Sequence, residues 1–303
     1  MDLHGIPYIG ETFALLAPLS WSFAVILFRI TGKSVSPIPL NFFKNFFAIF
    51  LFAATALLTG QGLIRDVPSS QIFLLIASGA IGIGISDTFF FMTLNRLGAG
   101  LQAIVNTSYS PSIIVLSVLF LGEVMTPLQL FGVALILGAV LAVTRMKGPS
   151  GNVDPRQRAL GILFGVLAAL TQAISIVMIK PMLGDAPIFW ANTWRLLGGI
   201  AVMFLILPFL RGRRKMFAEL RNRSVWSSMI PASLIGTYVS LVFWLSGMKY
   251  TQASTASALN QTSTLFTFLL AALLLREPVT AKRVLGVIIG MGGVLLVIFG
   301  EIV

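Results

Sequence analysis

Apolar residues in this chain run in ten long stretches separated by short polar connections, at approximately 12–31, 39–60, 71–94, 101–121, 128–144, 159–180, 188–210, 225–248, 254–275 and 284–300. A helix needs roughly 20 apolar residues to cross a hydrocarbon layer of about 30 Å. Each stretch therefore predicts one transmembrane helix, with segments 5 and 10 the shortest. The connections leave no room for a separate soluble domain. The first ten residues, MDLHGIPYIG, lack the basic region that opens a signal peptide, and segment 1 is long enough to stay in the bilayer.

Composition agrees with that pattern. Hydrophobic residues make up 57% of the chain and charged residues 10%, whereas a soluble domain is about half apolar and a quarter charged. No soluble core of this length buries so much apolar surface, so the expected class is an all-α membrane protein. With no cysteine, disulfides and thiolate metal sites are excluded, and His4 alone makes no histidine cluster. No metal or cofactor is expected.

The chain repeats itself at a spacing near 150. At an offset of 151, Arg29 meets Lys180 and Lys44 meets Arg195. At an offset of 154, Gly82 meets Gly236, Ser86 meets Ser240, Asn106 meets Asn260, Glu123 meets Glu277 and Gly138 meets Gly292. The expected domains are thus residues 1–150 and 151–303, each with five helices. An odd number of crossings forces the second copy to enter the membrane from the opposite side. The expected fold is therefore ten transmembrane helices as two inverted five-helix repeats, the architecture of many secondary transporters.

Charge sets the expected orientation. The net charge is +11, but basic residues in short loops are what membrane topology requires, and no soluble basic domain exists to grip nucleic acid. The loops after odd-numbered segments hold 15 Lys and Arg, whereas the opposite loops hold three, counting Lys180. That bias places the odd loops in the cytoplasm and both termini outside a cell membrane. The basic run RGRRKMFAELRNR at 211–223 reads as a topology anchor in preference to a site for anionic lipid.

Residues 122–143, GEVMTPLQLFGVALILGAVLAV, and 276–297, REPVTAKRVLGVIIGMGGVLLV, share a Glu, a Thr three residues later and a glycine-rich final helix. This resembles the EamA repeat of the drug/metabolite transporter superfamily, in two copies across essentially the whole chain. The resemblance implies a ten-helix carrier with a central cavity between the repeats. It also implies a small-molecule substrate, often an amino acid or related compound moved outward by efflux. Many relatives look N-terminus-in, whereas the loop charges here place the N-terminus outside.

Ionisable side chains in a bilayer core cost roughly 2.5–3.5 kcal/mol each on insertion scales, so they face a cavity or a partner. Arg29, Lys44, Lys180 and Arg195 qualify. Arg29 and Lys180 lie near helix ends, where snorkelling to the interface explains them better than a cavity role. Lys44 and Arg195 lie five and seven residues past their helix starts, roughly 7–10 Å deep. Inverted symmetry makes them pseudo-equivalent gates at opposite mouths. Asp87 is the single acid well inside a segment, and its repeat counterpart is Leu241. It is expected to clamp Arg29 or Lys44, with a coupling proton as its alternative role. Glu123 and Glu277 read as caps and loop anchors.

Asn106 and Asn260 are candidates to line the cavity or to join helices. Pro111 is expected to free a carbonyl in segment 4. Trp21 and Trp244 are candidate platforms for an apolar group, while Trp190, Trp194 and Tyr238 fit an interfacial belt. The string GAIGIG at 79–84 has the wrong spacing for a nucleotide loop and sits in segment 3. No HExxH, no cysteine and no second acid beside Asp87 are present for chemistry, so an enzyme is set aside. A channel, a scramblase or a structural membrane protein is the alternative to a carrier. Oligomeric state is left open.

Overall fold

The computed structural model describes residues 8–121, 126–143, 154–179, 182, 186–210, 212–250 and 259–299. His4, Glu123 and Lys180 lie outside the described residues. Among the described residues the chain is nearly all helical, and no strand is present. The helices in chain order are α1 (Ile9–Thr31), α2 (Pro37–Leu58), α3 (Ser69–Leu97), α4 (Ala99–Asn106), α5 (Tyr109–Leu121) and α6 (Pro127–Val143). They are followed by α7 (Pro155–Ile179), α8 (Ile188–Ile206), α9 (Arg213–Ala218), α10 (Arg223–Tyr250), α11 (Ser263–Leu274) and α12 (Ala281–Phe299).

Six helices among the described residues are long and apolar enough to cross a membrane: α1, α2, α3, α7, α10 and α8 with its continuation to Phe209. Shorter apolar helices accompany them, including Pro127–Ala142 and α11. Large apolar side chains cover the outer surface, with Leu58 at 88% and Leu273 at 75% exposure. In a bilayer such a surface meets acyl chains, and helices satisfy the backbone groups that lipid cannot.

The packing is close to symmetric when the halves are exchanged. α1 rests on α10 and α11, and its counterpart α7 rests on α3 and α5. α2 meets α8 and α6 meets α12, each pairing an element with its own counterpart, and α4 packs against α11. Small residues permit these close approaches. A methyl group on Gly79 would collide with the Arg195 carbonyl where α3 crosses α8. Gly161 and Gly165 of α7 sit against Leu97 and Val105, so this GxxxG pair is a packing face.

Two irregularities recur at matching positions. α3 carries a π-helical stretch at Ala80–Ser86, and α10 carries another at Ser233–Val239. Segment 4, expected as one helix over 101–121, is broken by a turn at Thr107 and Ser108 into α4 and α5. The counterpart residues Gln261 and Thr262 also form a turn, just before α11. Pro111 therefore stands in the first turn of α5, where its missing N–H costs nothing. The freed carbonyl expected in mid-helix becomes part of the turn, as Thr107 O accepts from Ser110 N at 3.2 Å.

Candidate functional site

The irregular stretches surround a cavity of about 170 Å³ between the two halves. It has room for on the order of ten waters or one small metabolite. Its lining falls into repeat-related pairs: Lys44 with Arg195, Ser86 with Ser240, Asn106 with Asn260, and Gly82 with Gly236. Asp87 lines it opposite its counterpart Leu241, and Trp21 opposite its counterpart Gln172. Phe90 and Trp244, also counterparts, complete an apolar wall with Trp21, whose ring centroid lies 5.4 Å from that of Phe90.

The two cations reach the cavity differently. Lys44 is 2% exposed, and its Nζ donates to Asp87 Oδ2 at 2.6 Å and to Asn45 Oδ1 at 2.8 Å. Asn45 in turn donates to Asn41 Oδ1 at 2.9 Å. Asn41 Nδ2 donates to the carbonyls of Ile83 and Gly84 at 3.0 Å each. These carbonyls lie in the π-helical stretch of α3, where the regular backbone ladder is interrupted. One chain of bonds thus joins the α3 backbone to the Lys44–Asp87 pair.

Arg195 is also 2% exposed but forms no ion pair among the described residues. Its Nε donates to Ser78 Oγ and its Nη2 to Ser175 Oγ, both at 3.2 Å. The serines are fixed in turn, because Ser78 Oγ reaches Ser175 O and Ser175 Oγ reaches Ser78 O, each at 2.9 Å. A guanidinium has five N–H groups, so this cradle aims the fork and leaves donors for the cavity. With Lys44 neutralised by Asp87, the charge left in the lining is positive.

The structure sharpens several sequence expectations and revises others. Lys44 and Arg195 line one cavity and not two separate mouths. Asp87 pairs with Lys44 and not with Arg29. Arg29 is not in the lining: its Nη1 donates to the carbonyls of Leu94 and Asn95 at 2.8 and 2.9 Å. Those carbonyls belong to the last turn of α3, where Leu94 O also accepts from Gly98 N at 3.0 Å and the helix itself offers few further donors. Glu277 caps across the repeats, accepting from the backbone N–H of Ala99 and Gly100 at the start of α4 at 2.9 and 3.1 Å. Trp190 is 2% exposed and donates to Leu63 O at 3.1 Å, and Tyr238 meets Thr55 Oγ1 at 2.6 Å, so both are internal contacts and not an interfacial belt. Gln172, Ser78 and Ser175 were not singled out from the sequence, although Gln172 is revealed by its match to Trp21. No cluster of metal-ligating side chains occurs among the described residues.

Fold and site together define a multi-pass helical membrane protein with a polar cavity at its centre. The model of the EamA-like transporter family matches residues 8–145 and again 159–299, and the chain belongs to that family. A protein of Archaeoglobus fulgidus named as an uncharacterized transporter is 23% identical over 287 residues, covering 94% of this chain and 96% of its own. Protein PecM of Dickeya dadantii is 24% identical, covering 76% of this chain and 75% of its own. A solved crystal structure superimposes with a TM-score of 0.64 over 95% of both chains at 16% identity, a likeness of fold alone. The chain is accordingly a membrane transporter.

Proposed function

We propose that the chain is a secondary carrier that exports small carboxylate-bearing metabolites, amino acids among them, by alternating access of one central site. The observation that carries this reading is Arg195, a buried cation at the cavity wall with two serine partners and no acidic one among the described residues. A charge left uncompensated at low dielectric is costly, and a planar fork matches a carboxylate in two parallel bonds. A solute carboxylate supplies the missing counter-charge.

In this reading residues 1–150 and 151–303 are two inverted five-helix repeats, making ten crossings. Support comes from the two family matches, the exchange-symmetric packing and the paired lining residues. Discontinuous helices around a site shared by inverted repeats are a recurring carrier design. The Lys44–Asp87 pair acts as a clamp that couples α2 to α3. The basic loops face the cytoplasm, in keeping with their 15 to 3 excess of Lys and Arg.

Purified protein in proteoliposomes tests the function directly. A panel of labelled metabolites should contain carboxylate solutes taken up saturably and accelerated by the same solute on the far side. Flux without saturation or trans-acceleration would indicate a channel instead.

A further inference from the structure

Asn41 and Asn192 are counterparts at the 151-residue offset, and the structure treats them oppositely. Asn41 is fully buried and clamps the π-helical stretch of α3 through the carbonyls of Ile83 and Gly84. Asn192, on α8, is equally buried, yet neither its Nδ2 nor its Oδ1 has a hydrogen-bond partner among the described residues. At the 154-residue offset, the counterparts of Ile83 and Gly84 are Thr237 and Tyr238, in the π-helical stretch of α10. The Thr237 hydroxyl is also buried without a partner among the described residues. Packing differs in the same sense, since α2 runs along the second half of α3 while α8 meets the second half of α10 only over a short stretch.

Native structures leave few buried amides unsatisfied, and each exception requires an explanation. A requirement for the amide in a second conformation provides one here. We propose that Asn192 is a positioning residue for the opposite-facing state. There the seam between α8 and α10 closes, Asn192 Nδ2 donates to the carbonyls of Thr237 and Tyr238, and Asn41 is released as the seam between α2 and α3 opens. The two asparagines thus form a reciprocal latch, one made while the other is unmade. This inference rests on the alternating-access reading above.

The chain has no cysteine, so a single reporter on the cavity wall can be read from either side. Gln172→Cys supplies it, and its labelling rate by an impermeant thiol reagent is measured from each face of reconstituted vesicles. Leucine matches asparagine in size without its hydrogen bonds. Asn41→Leu removes the latch of the state described here, whereas Asn192→Leu removes both the unsatisfied amide of that state and the latch of the other. The ratio of the two labelling rates should therefore move in opposite directions, by about fivefold to tenfold each, and return towards the parental ratio in the double variant. That return guards against damage to folding, which two injuries would compound. Movement in the same direction, or none, overturns the latch. If the parental reporter also labels from only one face under turnover, alternating access falls with it, whereas labelling from both faces would leave alternating access standing without the latch.

Discussion

Lys44 Nζ lies 2.6 Å from Asp87 Oδ2, with the lysine buried and the carboxylate 20% exposed at the cavity wall. This pair spends the charge of one of two repeat-related cations within the protein, and in the proposed mechanism Arg195 is the one that meets the solute. Breaking a buried pair by removing one partner typically costs about 3–5 kcal/mol. Asp87→Asn should therefore cut both solute exchange and pH-driven flux, or leave the vesicles leaky, when the two are measured in the same preparation. Retained exchange with loss of pH-driven flux alone would make Asp87 a proton carrier.

Arg195 depends on fork geometry as well as charge. Hydrogen bonds to charged groups contribute about 1.5–3 kcal/mol each, so Arg195→Gln should raise KM roughly 10- to 100-fold. Arg195→Lys should recover little, because an ammonium cannot span Ser78 and Ser175 while also meeting a carboxylate in two parallel bonds. Concentration series of uptake for the three proteins check this.

Two glycines should respond oppositely to a single methyl. At Gly79 the new carbon meets the main chain of Arg195, which cannot swing aside, whereas at Gly138 it meets nothing within 4 Å among the described residues. Gly79→Ala should destabilise the detergent-solubilised protein by about 1–3 kcal/mol. Gly138→Ala should be neutral or gain up to about 1 kcal/mol from helix propensity. Thermal unfolding in one detergent compares them.

Ser224 is exposed at the start of α10, beside the basic loop. The excess of basic residues on that side predicts that Ser224→Cys reacts with an impermeant thiol reagent only after the cells are opened. Reaction from outside intact cells would reverse the orientation.

Much of the fold was legible in the sequence, because apolar length marks a helix in lipid and the 151 and 154 offsets mark its counterpart. The offsets also pointed to the lining: Asn106, Asn260, Lys44 and Arg195 all border the cavity. Hydropathy is blind to hydrogen-bond register, so the π-helical stretches and the break at Thr107 and Ser108 left no trace in the apolar pattern. The role of Arg29 depends on the last carbonyls of α3, which come within reach only once α1 and α3 are packed. Ser78 and Ser175 read as ordinary small residues of apolar segments. Their purpose appears only when α3, α7 and α8 bring them to one guanidinium.

Counterflow with a matched pair of solutes tests the central claim most directly. Proteoliposomes preloaded with a carboxylate metabolite should accelerate entry of its labelled form. The same metabolite with its carboxylate converted to an amide should give at most about a tenth of that rate, since the charge-assisted contact to Arg195 is lost. Arg195→Gln should remove the difference between the two solutes. Equal acceleration by acid and amide in the native protein, or a preference that survives Arg195→Gln, would contradict the assignment of Arg195 as the anion-recognising group.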